Sequence, residues 1–134
     1  MKSDSSKDPF EAGDPVTRSN RVIWTVGLQC RPQDEDKFNK WYDEVHVPML
    51  LKGGHVSKVT RYELADAVYD VAPGAMKCPK YQTVYEFEDQ QKFEAWMHGE
   101  ERMAAGRDKA EAWGDRGYEV IWAARYDVTS TWTD

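Results

Sequence analysis

The chain has 134 residues, enough for one domain around one core, and its composition of 40% hydrophobic and 31% charged residues is that of an ordinary globular protein. A formal net charge of −6 and a pI near 5.1 repel a phosphate backbone, which argues against nucleic acid as a partner. No apolar run approaches the roughly 20 residues that a membrane helix needs, so the expectation is a soluble, cytoplasmic protein.

Residues 1–20 are dominated by Ser, Asp, Lys, Pro and Gly, lack the apolar segment of a secretory signal and are expected to form a flexible arm. A single folded domain is expected over 21–134. The stretch RVIWTVGLQC (21–30) alternates as a strand, with Val22, Trp24, Val26, Leu28 and Cys30 on one face. Its other face is also largely uncharged, as expected of a sheet covered on both sides.

Asp34, Glu35 and Asp36 place negative charge in a first helical turn, and Phe38, Trp41, Tyr42, Val45 and Met49 follow at helical spacing. This predicts a helix over about 34–47, anchored to the sheet by Trp41 and Val45 and ended by Pro48. A second strand is expected over 55–68, a turn-rich loop over 69–79 and a third strand over 80–89. Residues 90–99 then read as a helix with Phe93, Trp96 and Met97 on its apolar stripe, followed by a further helical segment over about 100–113. The last strand spans 118–128.

The order β-α-β-β-α-β predicts an α+β, ferredoxin-like fold: a four-stranded antiparallel sheet with the helices on one face. The second sheet face would then be bare and partly apolar, and a twofold homodimer is the economical cover.

The run FNKWYDEVHVPMLL, the strand end TRYEL and the segment APGAMKCPKYQTVYEFED together resemble the EthD-like branch of the dimeric α+β barrel superfamily, over about residues 21–128. The resemblance rests on a Trp-Tyr-x-x-x-His-x-Pro segment, an Arg-Tyr strand and a Tyr-x-x-x-Tyr-Glu-Phe strand. It implies a homodimer with sheets packed face to face and, in each subunit, a pocket between sheet and helices for a small aromatic, polyketide-like or lactone-like molecule. Related barrels include isomerases, polyketide cyclases, cofactor-free monooxygenases and haem proteins. The implied activity is therefore cofactor-independent acid/base chemistry of isomerase, cyclase or lyase type. A haem- or oxygen-dependent barrel and a non-catalytic small-molecule-binding dimer are the alternatives.

His46 is the first candidate for the proton-transferring group, because Phe38, Tyr42 and His46 share one ridge at spacing four. A histidine capping the helix end accounts for the same residue without chemistry. Tyr42 beside it and Arg61 on the second strand are candidates to steady a developing oxyanion, with a cross-strand pair to Glu86 or Glu88 the plain alternative for Arg61. Tyr62, Tyr81, Tyr85, Trp41 and His98 complete the set of candidate substrate contacts, whereas Trp24, Trp96 and Trp122 read as core and Asp43 and Glu44 as solvated. Cys30, Cys78 and the three scattered histidines offer no metal-ligand spacing.

Overall fold

The structure is a computed structural model, and it describes residues 20–67, 78–114 and 117–134. Residues 1–19 of the expected N-terminal arm and most of the 69–79 loop lie outside the described residues.

Strand β1 (Val22–Cys30) leads through a 3-10 turn (Pro32–Asp34) into helix α1 (Glu35–Trp41). A π-helical turn (Tyr42–His46) joins α1 to helix α2 (Val47–Leu51). Strands β2 (Lys58–Glu63) and β3 (Tyr81–Phe87), helices α3 (Gln90–Met97) and α4 (Glu100–Trp113) and strand β4 (Tyr118–Asp127) complete the chain. The sheet order is β2-β3-β1-β4 with every neighbouring pair antiparallel, which is the ferredoxin-like arrangement expected from the element order.

Register fixes which side chains face the helices. Trp24 lies opposite Tyr85 and Val26 opposite Thr83, while on the far side Val59 pairs with Tyr85 and Arg61 with Thr83. Tyr81, Thr83, Tyr85 and Phe87 are all buried, and they meet Val22, Val26 and Leu28 in one core with Phe38, Trp41, Tyr42, Leu50, Phe93, Trp96 and Ala105. Aromatic rings dominate that core: Phe87 packs edge-on to Phe93 at 5.3 Å, and Trp96 lies 5.0 Å from Phe87. The Trp96 indole N–H donates to the Leu50 carbonyl at 3.0 Å, so the ring is buried without leaving its donor unmade. Asp89 caps α3 by accepting from the Lys92 backbone N–H at 2.8 Å, and Gly114, with φ of 62°, ends α4.

Three expectations about local structure are corrected. The first helix does not stop before Pro48 but runs on to Leu51. The π turn accommodates the proline: the Val47 N–H reaches back five residues to the Tyr42 carbonyl, and the donor that Pro48 lacks falls at the start of α2. Val45 is carried away from the sheet by the same turn and is 37% exposed, so Trp41 anchors the helix without it. The second strand begins at Lys58 and ends at Glu63.

Trp122 is not a core residue. It lies on the sheet face away from the helices, opposite Gly27, where the register between β1 and β4 shifts by a bulge. A Cβ on Gly27 would sit 2.7 Å from the Trp122 ring and 2.8 Å from the Pro79 ring, so only glycine leaves room for that packing. No described helix is long and apolar enough to cross a membrane.

Candidate active site

Between the inner sheet face and the helices lies a cavity of about 320 Å³. β1 supplies Trp24, Val26 and Leu28 to its floor, β3 supplies Tyr85, and β4 supplies Tyr118 and Val120. Tyr42, His46 and Leu50 form one wall, while Trp96 of α3 and Arg102, Ala105, Gly106 and Lys109 of α4 form the other.

The π turn sets the geometry around His46. With more than four residues per turn, positions four and five apart become neighbours, and His46 therefore meets both Tyr42 and Trp41. Its ring stacks on Trp41 with centroids 4.7 Å apart and planes 28° from parallel, and lies 4.8 Å from the Tyr42 ring. Trp41 is itself fixed from behind, its indole N–H donating to Asp108 at 2.9 Å. Nδ1 of His46 is shut off from solvent and has no hydrogen-bond partner among the described residues. Burial, reinforced by the Lys109 cation, pushes the imidazole pKa down to about 4, so the ring is neutral at physiological pH. The capping reading, which needs an imidazolium on the helix end, does not fit a neutral ring set between two aromatic rings.

Beside the imidazole, the Tyr42 and Tyr85 hydroxyls lie 3.3 Å apart, both side chains being buried. Burial raises the pKa of each phenol, most strongly that of Tyr85, so both keep their protons. Only one of the two protons can occupy the shared hydrogen bond. The other is not committed to that bond, and the Thr83 hydroxyl stands beside Tyr42 as a further partner.

Of the eight residues expected to form the site, Tyr42, His46 and Tyr85 line this cavity, and Trp41 stands directly behind His46. The other four are placed elsewhere. Tyr62 lies on the opposite sheet face and is 52% exposed, because β2 alternates and Arg61 takes the inner position. Tyr81 is tied at the sheet end, its hydroxyl donating to Glu35 at 2.5 Å and accepting from Asn39 at 3.1 Å. His98 follows the last residue of α3 and is largely exposed beside Glu94. Arg61 neither lines the cavity nor pairs with Glu86 or Glu88. Its guanidinium donates to Asp43 at 2.9 Å and Asn39 at 3.0 Å and lies 4.5 Å over the Tyr42 ring, bracing β2 to the first helix.

Sequence reasoning missed Arg102, Lys109 and Tyr118 and assigned Trp24 and Trp96 to the core alone. The signal was present on α4. Its sheet-facing stripe reads Arg102, Ala105, Gly106, Lys109, with small residues where a packed helix carries large apolar ones. That stripe leaves the space that the cavity occupies.

The profile of a domain of unknown function, DUF4286, matches residues 21–121. The chain belongs to the DUF4286 family. A comparison with curated proteins gives no match. Solved structures similar to this DUF4286 chain include an ethyl tert-butyl ether D (EthD) family protein from Bacillus halodurans, 15% identical with a TM-score of 0.56, covering 81% of this chain and 99% of that one. HapK from Hahella chejuensis is 13% identical with a TM-score of 0.58, covering 84% and 97%. A dimeric protein of unknown function with a ferredoxin-like fold from Bacteroides fragilis is 16% identical with a TM-score of 0.56, covering 84% and 100%. At these identities the likeness is one of fold, and at that level the resemblance to EthD-like dimeric α+β barrels holds.

Proposed function

We propose that this DUF4286 chain is an enzyme that needs no cofactor and moves a proton on a small aromatic, polyketide-like or lactone-like substrate, as an isomerase, cyclase or lyase. The observation that carries the reading is the neutral, Trp41-stacked His46 beside the Tyr42–Tyr85 hydroxyl pair on the wall of an aromatic cavity. The neutral imidazole takes a proton from an acidic C–H of the substrate, and the electron pair left behind moves onto the adjacent carbonyl oxygen. The free phenol proton of the tyrosine pair stabilises that oxyanion, and the imidazolium returns its proton to a different position or to a leaving group. Trp24, Trp96 and Tyr118 supply ring faces against which a flat substrate stacks.

The same reading extends to assembly as a homodimer through the outer sheet face. Tyr62 and Tyr126 are exposed there at 52% and 59%, with Ile23, Val84 and Trp122 partly covered between them. One structure of this fold, that from Bacteroides fragilis, is itself described as dimeric.

The test is deuterium exchange. A panel of aryl ketones, β-diketones and unsaturated lactones is incubated with the protein in D₂O and followed by NMR. Enzyme-dependent incorporation at the carbon next to the carbonyl, lost in His46→Gln, is the expected result. Binding without exchange in the wild type would replace the reading with that of a non-catalytic binder. A Soret band in the purified protein would replace it with a haem reading.

A further inference from the structure

Arg102 and Lys109 stand two turns apart on α4 with the small residues Ala105 and Gly106 between them, and all four line the cavity. Neither cation forms an ion pair with a described carboxylate. Of the carboxylates on α4, Glu100 pairs with Arg107 at 2.8 Å, Glu101 lies beside His55 at 3.6 Å, Asp108 accepts from the Trp41 indole, and Glu111 is exposed. What Arg102 touches instead is soft. Its guanidinium lies 5.0 Å from the Trp96 ring and 5.8 Å from the Trp24 ring, and one N–H meets the Met97 sulfur. Lys109 lies 4.8 Å over the Tyr118 ring.

Both cations are partly buried and face the cavity with aromatic and sulfur neighbours in place of a carboxylate, in a chain whose net charge is −6. No described aspartate or glutamate lines the cavity.

The geometry points to an anionic substrate: a flat ring carrying a carboxylate, stacked among Trp24, Trp96 and Tyr118 and held at the α4 wall by Arg102 and Lys109. The planar fork of Arg102 suits the two oxygens of a carboxylate, and Lys109 adds a second charge across the Ala105–Gly106 gap. This inference deepens the proposed function by naming the substrate class of the same cavity.

It also ties binding to chemistry. Lys109 and Arg102 are among the charges that hold down the affinity of His46 for a proton. Burial is the largest cause of the lowered pKa and Asp108 opposes the two cations, so an anion seated on them removes only their share, which makes the imidazole a better base when the substrate is in place.

The experiment compares 1-naphthoate and salicylate with their neutral amides, 1-naphthamide and salicylamide, by quenching of tryptophan fluorescence and by calorimetry on the full chain. Each carboxylate is expected to bind at least roughly 10-fold more tightly than its amide at neutral pH. Arg102→Gln and Lys109→Gln each reduce that preference, the double variant removes it, and Lys109→Arg retains most of it. Thermal melts confirm that the variants are folded. Equal binding of acid and amide, a preference that survives the double variant, or no binding of either carboxylate overturns the inference. His46→Gln separates this outcome from that of the proton-transfer reading. A carboxylate preference with no His46-dependent exchange leaves the anion site standing alone. His46-dependent exchange with no preference leaves the chemistry standing alone.

Discussion

The imidazole of His46 lies flat against the indole of Trp41, 4.7 Å between centroids, and Trp41 is pinned in turn by Asp108. The ring's orientation is therefore set by packing from behind, and its chemistry is left to the cavity side. In a ¹H–¹³C NMR titration, the His46 resonance is expected to move with a midpoint near pH 4 in the free protein and to shift upward when an aromatic carboxylate is bound. A midpoint at the usual histidine value of about 6.5 would remove the case for a buried neutral base.

Stability should carry the same signature. Between pH 6.5 and about 4 the unfolded chain binds a proton at His46 that the folded chain does not. This histidine's contribution to stability is thus fully present above pH 6.5 and is lost as pH falls toward 4, by up to about 3 kcal/mol. Carboxylates titrate in the same window, so the measurement is a difference. Denaturant melts of the wild type against His46→Gln should converge as pH drops, and a constant gap would count against the assignment.

Tyr42→Phe removes one hydroxyl of the buried pair and leaves the ring. It is expected to cost about 1 kcal/mol of stability. If the pair serves as the oxyanion donor, kcat on an exchanging substrate falls by roughly 10²-fold with little change in KM. A loss confined to KM would make Tyr42 a binding contact alone.

Arg61 is expected to matter for the fold and not for the reaction. Arg61→Met loses the hydrogen bonds to Asn39 and Asp43 and the stack over Tyr42, and should lower stability by about 1–3 kcal/mol. Ligand affinity at the cavity should be unchanged. A variant as stable as the wild type but unable to bind or turn over ligand would return Arg61 to the site.

Gly27→Val forces a side chain into the Trp122 and Pro79 rings and should destabilise by roughly 1–3 kcal/mol, as overpacking does. Adding Trp122→Ala should recover part of that loss in a double-mutant cycle. Simple additivity would show that the two do not meet.

The fold was legible because hydrophobic period survives in isolation: the alternation of 21–30 and 81–87 and the stripes of 35–41 and 90–97 each follow from local pattern. His46, Tyr42 and Tyr85 were legible from spacing and resemblance together. Outside the α4 stripe, what escaped was set by features with no local signal. A proline two residues past His46 reads as a stop unless the turn before it is widened, and that widening depends on Trp41 and Tyr42 packing onto the rest of the fold. The place of Tyr62 and Tyr81 depended on register and on Glu35, a partner 46 residues away in sequence from Tyr81. Arg102 and Lys109 were not singled out, although Ala105 and Gly106 between them marked an open stripe on α4, since a cation facing a cavity differs from one facing water only in what lies opposite.

The π turn also bears on how such a site arises. It holds one residue more than an α-helix of the same span, and deleting an exposed member such as Glu44 would restore the regular ladder. His46 would then stand four residues from Trp41 and three from Tyr42, the ordinary neighbour spacings of an α-helix, so the imidazole would keep both rings beside it at changed angles. A single added residue ahead of Pro48 is therefore enough for the helix to run past the proline to Leu51, while the sheet and the α4 wall stay in place. Such a change reshapes the wall that carries His46 and leaves the strand order β2-β3-β1-β4 as it is.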